Sequence, residues 1–258
     1  AGTMTSNAGI VVDQFTRQAA PFANSAAMRD EDALRLLVEF SGATPSDTVL
    51  DVACGPGLVV AAFARVARHA TGIDLTPAMI DKAREHAAAC ALTNVDWRIG
   101  NVLPLPFADR SFSLVVSRFA FHHFPDPAAV MREMVRVCTR PGRVVVADMA
   151  ASDDPARAAA LNRMERLRDP SHTRALPQAE LRALFVDAGA REPRAIFYDV
   201  RGELEGLMAT SFPAPGDDAI IRQMFVDSLP DDGLGMKTKA KGDKILLSYP
   251  IAVLAADV

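Results

Sequence analysis

The segment from residue 48 to residue 68 constrains the fold more than any other part of the chain. Residues 48–52 form a short apolar run that is followed by Ala-Cys-Gly-Pro-Gly at 53–57 and by a helical stretch from Leu58 to Arg68. A strand that breaks at glycines and leads into a helix places backbone N–H groups at one edge of a sheet. A second short run, 70–73, ends in Asp74, whose carboxylate can accept the hydroxyls of a ribose at the next strand end. The arrangement predicts a site for a nucleoside-bearing ligand.

The glycine spacing argues against two common nucleotide sites. A dinucleotide fingerprint needs three glycines as G-x-G-x-x-G, whereas Gly55 and Gly57 are followed by Val60. No G-x-x-x-x-G-K-[ST] phosphate cradle occurs in the chain either. What remains is an acidic residue, a small residue and two glycines: Asp51, Ala53, Gly55 and Gly57.

This pattern resembles motif I of the class I S-adenosylmethionine-dependent methyltransferases, D/E-x-G-x-G-x-G, with Ala53 in place of the first glycine. The resemblance continues in the family's order over roughly residues 45–150: 72–80 resembles the ribose-binding segment, 99–107 the adenine-binding loop, 111–117 the fourth strand and 140–147 the turn and fifth strand. It is strongest to the small-molecule branch that includes the ubiquinone and menaquinone C-methyltransferases. The resemblance implies S-adenosyl-L-methionine as cofactor and S-adenosyl-L-homocysteine as product.

The resemblance also assigns roles to the strand ends. Asp51 and the 53–57 loop would hold the methionine end of the cofactor, and Asp74 would hold the ribose. At position 101 the family usually carries Asp, and the side-chain carbonyl of Asn101 can accept the same hydrogen bond from adenine. The cofactor-binding candidates are Asp51, Ala53, Gly55, Gly57, Asp74, Leu75, Met79, Asn101, Val102, Ser117, Phe15 and Gln18. Core packing is an alternative for Met79, and an amphipathic helix that caps the sheet is an alternative for the segment around Phe15.

The acceptor side has two groups of candidates. His122 and His123 follow the fourth strand, where the family's acceptor site lies, and histidine has the pKa of a general base; the pair could instead only organise the loop. The substrate-binding candidates are Phe22, Phe119, Arg163, Arg168 and His172. For Arg163, Arg168 and His172, together with Glu165, the alternative is a solvated charged face with pairing at the helix end. No carboxylate cluster accompanies the histidines, so no metal is expected. The Asn-Pro-Pro-Tyr motif of N-directed enzymes is absent, which favours an O or C atom of a small organic acceptor.

The remaining pattern predicts an α/β fold, a doubly wound Rossmann-like seven-stranded sheet that is mostly parallel with an antiparallel last strand. Strands are expected at 48–52, 70–74, 95–99, 112–117, 143–149, 194–200 and 245–256, and helices at 30–41, 154–168 and 177–189. Thr76 before Pro77 and Asp126 before Pro127 are predicted N-caps. The expected units are an N-terminal helical lid (4–44), the cofactor-binding core (45–200), a C-terminal cap insertion (201–242) and the final core strand (243–258).

The composition of the chain limits the cellular compartments and the binding partners that are expected. No apolar run approaches the roughly 18 residues of a membrane span, and no signal-peptide pattern is present. Cys54, Cys90 and Cys138 are scattered without metal spacing, which predicts a reducing cytoplasm. A net charge of −4 without a basic block argues against nucleic acid as a partner. The oligomeric state, monomer or homodimer, stays open.

Two other functions remain compatible with the same core. A protein of this kind can use S-adenosylmethionine in a non-methylating reaction, such as a cyclisation, elimination or decarboxylation. It can also serve as a non-catalytic partner subunit, although the intact Asp51 and Asp74 argue against that.

Overall fold

The computed structural model describes residues 30–258. Its strands are β1 (Thr48–Val52), β2 (His69–Asp74), β3 (Val95–Ile99), β4 (Phe112–Arg118), β5 (Cys138–Ala151), β6 (Leu176–Pro177), β7 (Arg194–Glu203), β8 (Lys239–Lys241) and β9 (Lys244–Asp257). Its helices are α1 (Glu31–Ser41), α2 (Leu58–Ala64), α3 (Pro77–Ala89), α4 (Pro127–Val137), α5 (Pro155–Arg168), α6 (Gln178–Asp187), α7 (Leu204–Ala209) and α8 (Asp217–Ser228), with a short 3₁₀ turn at Phe121–His123.

The strands form one twisted sheet in the order β3-β2-β1-β4-β5-β9-β7. The first five strands of this path are parallel, and β9 is antiparallel to both β5 and β7. The predicted mostly parallel, doubly wound sheet with an antiparallel last strand is confirmed. The predicted strand number is too low, because β6 adds a short pairing to β5 and β8 adds one to β9, giving a nine-stranded sheet. Short polar strands such as Lys239–Lys241 carry no apolar signal that would predict them.

The central strands are buried on both faces, which explains their continuous apolar sequences. One face packs against α4 and α6, and the other against α1 and α2. The strand order reverses between β1 and β4, and ligands of such sheets bind beyond the carboxyl ends of the strands at this point. The fold therefore brings the ends of β1, β2, β4 and β5 to one edge.

The C-terminal part carries a third apolar cluster. Residues of α5, α7, α8 and β9 pack together there, with Met164, Phe225 and Met236 fully buried. Helices α7 and α8 lie within the predicted cap, 201–242. The division of the chain into a lid, a core and a cap stays a prediction.

One local prediction needs correction, because the helix expected to run to Arg68 ends at Ala64. Thr76 is the N-cap of α3, as predicted, although its side chain makes no capping hydrogen bond. Its backbone N–H donates to Asp74 Oδ1 at 2.9 Å. Asp126 is the N-cap of α4, as predicted, and accepts from the Ala129 N–H at 3.0 Å. Within residues 30–258 no helix is long and apolar enough to cross a membrane.

Candidate functional site

A cavity of about 220 Å³ opens at the carboxyl edge of the parallel strands. It is lined by Asp51, Ala53, Cys54, Gly55, Leu58, Val59, Asp74, Leu75, Met79, Asn101, Val102, Leu103, Arg118, Phe119, Ala120, His123, Phe124, Pro125 and Val130. Ten of the residues predicted from the sequence are among them. Gly57, Ser117, His122, Arg163, Arg168 and His172 are not in the lining. Phe15, Gln18 and Phe22 lie outside the described residues.

Asp51 contributes an unsatisfied carboxylate to the cavity. It is buried in β1, and its Oδ1 has no hydrogen-bond partner within residues 30–258. Burial raises the pKa of Asp51 well above its ordinary value, an effect that Arg118 opposes and Asp74 reinforces. A buried carboxylate oxygen without a donor is costly unless a ligand supplies one. The site therefore fits a ligand with a cationic donor, such as an amino group.

The loop after β1 is held in a left-handed conformation. Ala53, Gly55 and Gly57 have φ values of 59°, 53° and 80°, which favour glycine over other residues. A Cβ on Gly57 would lie 2.6 Å from the Trp97 ring and 2.7 Å from the Ala83 Cβ. Gly57 is thus required by the packing of the loop on β3 and α3, whereas Ala53 and Gly55 line the cavity.

Asp74 ties this loop to the end of β2. Its Oδ2 accepts from the Gly55 N–H at 2.9 Å, and its Oδ1 accepts from the Thr76 N–H at 2.9 Å. Burial raises the pKa of Asp74, and these two backbone hydrogen bonds oppose the shift. Each carboxylate oxygen retains a lone pair, so Asp74 can position the loop and still accept ligand hydroxyls.

The segment after β3 carries residues predicted to bind adenine, a role that stays a prediction. Asn101 Oδ1 accepts from the Leu103 N–H at 3.1 Å. Leu75 and Met79 line the cavity together with Asn101. Met79 is also fully buried, which agrees with core packing, the alternative given for that residue.

Two side chains of helix α4 hold the loop that follows β3. Arg136 donates to the carbonyls of Leu105 and Phe107 at 3.0 and 2.9 Å and to Asp109 at 2.8 Å. Glu133 accepts from the Leu105 N–H at 2.9 Å. This pair was not predicted, because its contacts join residues about thirty positions apart.

The end of β4 supplies two further lining residues. Arg118 is buried beside Asp51 and lies over the Phe119 ring, 4.9 Å from its centroid. Phe119 has a φ of 57°, a strained conformation for a bulky residue that is typical of functional sites. Ser117, in contrast, donates from Oγ to the Val52 carbonyl at 2.8 Å and links β4 to β1 without lining the cavity.

The two histidines predicted after β4 are both buried but differ in position. His123 lines the cavity, and its Nδ1 lies 3.1 Å from both the carbonyl oxygen and the hydroxyl of Ser171. His122 lies behind it, with the ring centroids 4.1 Å apart. The His122 Nδ1 lies 2.7 Å from Asp148 Oδ1, and its backbone N–H donates to Asp148 Oδ2 at 2.9 Å. Asp148, three residues before the end of β5, was not predicted.

His172 joins the histidines as a third ring. It stacks on His122 with centroids 5.5 Å apart, and its Nε2 lies 2.8 Å from Asn162 Oδ1. Burial, reinforced by the charges of His122 and His123, lowers the pKa of His172 to about 2.

The two charged candidates on α5, Arg163 and Arg168, differ in exposure. Arg163 is exposed. Arg168 is largely covered, and it donates to buried Glu165 at 3.0 Å and to Ser211 Oγ at 3.0 Å. Tyr249 on β9 donates a short hydrogen bond to the same glutamate. Arg163 therefore fits the solvated face, and Arg168 makes the helix-end pair that the alternative includes. Glu165 and His172 are buried. Substrate binding by Arg168 and His172 stays a prediction. Within the described chain, no group of three or more His, Cys, Asp or Glu side chains is arranged to hold a metal ion.

The residues present fit S-adenosylmethionine. Asp51 offers an open acceptor for its amino group, Asp74 lies where ribose hydroxyls are expected, and Leu75 and Met79 give apolar contact for adenine. When bound, this group supplies an electrophilic methyl on a sulfonium.

Comparison with known proteins decides the family. The profile of a family described as a methyltransferase domain matches residues 50–146. The chain is 34% identical over 172 residues to the uncharacterized methyltransferase YcgJ of Bacillus subtilis, an alignment that covers 64% of this chain and 68% of YcgJ. The chain is a class I S-adenosylmethionine-dependent methyltransferase.

Solved structures share the fold of this chain. The crystal structure of YcgJ superimposes with a TM-score of 0.82 at 24% identity, covering 88% of this chain and 97% of that one. The [4+2]-cyclase SpnF shares the fold, with a TM-score of 0.60 at 18% identity over 88% of this chain and 79% of that one. At these identities the likeness shows the fold alone.

A characterised relative matches the methyltransferase over a shorter span. The 2-phytyl-1,4-naphtoquinone methyltransferase of Synechococcus elongatus is 33% identical over 122 residues, 45% of this chain and 51% of its own length. The predicted resemblance to the quinone branch is thereby supported over this span.

Proposed function

We propose that this methyltransferase transfers the methyl group of S-adenosylmethionine to an O or C atom of a small organic acceptor. One observation carries the proposal: a single cavity joins the Asp51 and Asp74 carboxylates to Phe119, Phe124 and His123. The carboxylates suit the polar cofactor, and the aromatic side chains with His123 suit an apolar acceptor that loses a proton.

The lining supports transfer by alignment. The cofactor already carries the activated methyl, so the protein's task is to orient the acceptor and to exclude water. Phe119, Phe124 and Pro125 surround the histidine side of the cavity with apolar surface. The end of β4 reads Ser117-Arg118-Phe119, without the amide and proline residues of N-directed enzymes. The naphtoquinone methyltransferase relative further favours a cyclic, quinone-like or phenolic acceptor.

The test is a screen for product release. The purified chain is incubated with S-adenosylmethionine and a panel of phenols, quinols and enolisable ketones, and S-adenosylhomocysteine is measured by mass spectrometry. We expect S-adenosylhomocysteine and an acceptor heavier by one methyl group in equal amounts. The control Asp74→Ala removes the carboxylate that anchors Gly55 and Thr76 and should abolish both signals.

A second function is distinguished by the same screen. The shared fold with a cyclase supports a non-methylating reaction as the alternative. Conversion of an acceptor without S-adenosylhomocysteine would contradict methyl transfer and favour that alternative. A folded chain that binds no cofactor would contradict both and favour a partner-subunit role.

A further inference from the structure

The hydrogen-bond network fixes the proton position on His123. Ser171 Oγ donates its only hydrogen to Asp169 Oδ1 at 2.6 Å, so it can only accept from a second neighbour. The Ser171 carbonyl is also an acceptor only. Because both atoms lie 3.1 Å from Nδ1 of His123, Nδ1 must carry a hydrogen. In the neutral ring the basic lone pair is therefore on Nε2.

The same reasoning orients the other two rings. Asn162 Nδ2 donates to the carbonyls of Ala158 and Ala175, and its Oδ1 accepts from the Ala175 N–H. His172 must then donate from Nε2 to Asn162 Oδ1. His122 donates from Nδ1 to Asp148. All three rings are held by defined partners, which is the requirement for a preorganised site.

Asp148 favours protonation of His122 over its two neighbours. Burial alone would lower the pKa of His122, but the Asp148 carboxylate, by its charge and its hydrogen bond, raises it above the ordinary value. Burial and the interaction with His122 together lower the pKa of His123 to about 4. The charged groups that act on these rings are Asp148 from β5, Glu165, Arg166 and Arg168 from α5, and Asp169 from the following loop. Within the cluster a proton is therefore held more readily by His122 than by His123.

We propose that His123 is the proton acceptor of the reaction and that Asp148, acting through His122, is the positioning residue that holds the His123 ring in place. The inference rests on the proposed function and narrows its substrate class to acceptors with an acidic O–H or C–H group. Of the two adjacent histidines, only His123 lines the cavity, and its Nε2 lies 4.0 Å from Asp169 Oδ2. That carboxylate stabilises the imidazolium that forms on proton transfer.

The step is balanced in atoms and charge. The O–H or C–H bond of the acceptor breaks, its electron pair remains on the acceptor and forms the new bond to the methyl carbon, and the proton moves to His123 Nε2. The electron pair of the broken bond between sulfur and the methyl carbon stays on sulfur. A positive charge is lost from sulfur as one is gained on His123, so the cavity keeps its net charge.

The test uses histidine-selective ¹⁵N NMR on the chain bound to S-adenosylhomocysteine, and it needs no known acceptor. We expect His123 to show a protonated Nδ1 and an unprotonated Nε2 at neutral pH. In Asp148→Asn, His122 loses the carboxylate that raises its pKa, and the pKa of His123 should rise by about one pH unit toward 6.5. His69, at the opposite end of β2, is the internal control whose resonance should not change.

A second measurement on the unmodified chain covers the case in which Asp148→Asn does not fold. Sinefungin places an amine where the cofactor carries its sulfonium. The pKa of His123 should therefore be lower in the sinefungin complex than in the S-adenosylhomocysteine complex. A protonated Nε2 on neutral His123, or titration that is the same in both complexes, would overturn the inference.

Kinetics separate this inference from the proposed function. With an acceptor from the screen, His123→Asn should lower kcat by about 10²–10⁴-fold with little change in KM for the cofactor. Methyl transfer that persists at the full rate in His123→Asn would overturn the role of His123 and leave methyl transfer intact. Failure to bind either cofactor analogue would instead refute the proposed function.

Discussion

The neutral state of His172 predicts a specific loss of stability in acid. In the unfolded chain its pKa is about 6.5, whereas in the folded protein burial lowers the pKa to about 2. The stability contribution of a histidine whose pKa is lowered by folding is fully present above pH 6.5. It is lost as the pH falls below 6.5, because the unfolded chain takes up a proton that the folded protein does not. Between pH 7.5 and pH 5 the loss is about 2 kcal/mol for this one residue, at 1.36 kcal/mol per pH unit.

The variant His172→Gln isolates this contribution. A glutamine amide can still donate to Asn162 Oδ1, which His172 contacts at 2.8 Å, but it cannot be protonated. The unfolding free energy of the wild type minus that of His172→Gln should therefore decrease by about 2 kcal/mol from pH 7.5 to pH 5. Urea denaturation at each pH measures it. The control Arg163→Gln changes a residue that is exposed on α5, the helix that carries Asn162. Its difference from the wild type in unfolding free energy should not vary with pH. A constant difference for His172→Gln would refute the neutral, buried assignment.

Three further predictions concern the cofactor loops. Gly57→Ala should lower the unfolding free energy by about 2–5 kcal/mol in denaturant titrations, because its φ is 80° and the new Cβ would contact the Trp97 ring at 2.6 Å; a loss below 1 kcal/mol would contradict this. Ala53→Gly should change stability by no more than about 1 kcal/mol, since relief at φ 59° offsets glycine's entropy, and a larger loss would be inconsistent with the left-handed loop. Arg136→Met should weaken S-adenosylhomocysteine about tenfold in calorimetry by releasing the Leu105 carbonyl; unchanged affinity would show that the clamp is not needed.

The core elements could be predicted because their signals are local. Strands β1, β2, β3 and β4 lie within one residue of their predicted bounds. Strands β1, β2 and β4 are largely buried and read as nearly continuous apolar runs, whereas β3 is a half-exposed strand at the sheet edge. The N-caps at Thr76 and Asp126 were predicted from a polar residue directly before a proline. That only Asp126 makes a side-chain capping hydrogen bond depends on distances that the sequence does not contain.

The histidine side of the site required the fold. Arg118 ends β4, as Asp74 ends β2, so the strand-end argument applied to every strand would have found it. Asp148 lies inside β5, three residues before its end. The separation of His122 from His123 could not be found that way, because it depends on contacts with Asp148 and Ser171 that lie 26 and 48 residues away. The burial of His172 and the exposure of Arg163 likewise depend on the fold, and their substrate roles stay predictions.

The most direct test of the central claim, that the strand-end cavity holds the cofactor, compares two buried carboxylates near either end of β1. Asp51 has an unsatisfied oxygen at the cavity, whereas Asp47, just before the strand, is paired with Ser113 and Arg143 at 2.7 Å each. We would titrate S-adenosylhomocysteine by calorimetry into Asp51→Asn and Asp47→Asn and measure the stability of each.

The account predicts opposite outcomes for the two variants. Asp51→Asn should bind about 10–100-fold more weakly with no loss of stability, because an unsatisfied buried charge is removed. Asp47→Asn should lose stability and keep its affinity. Unchanged affinity in Asp51→Asn, or binding by neither the wild type nor Asp47→Asn while both are folded, would contradict the placement of the cofactor in this cavity.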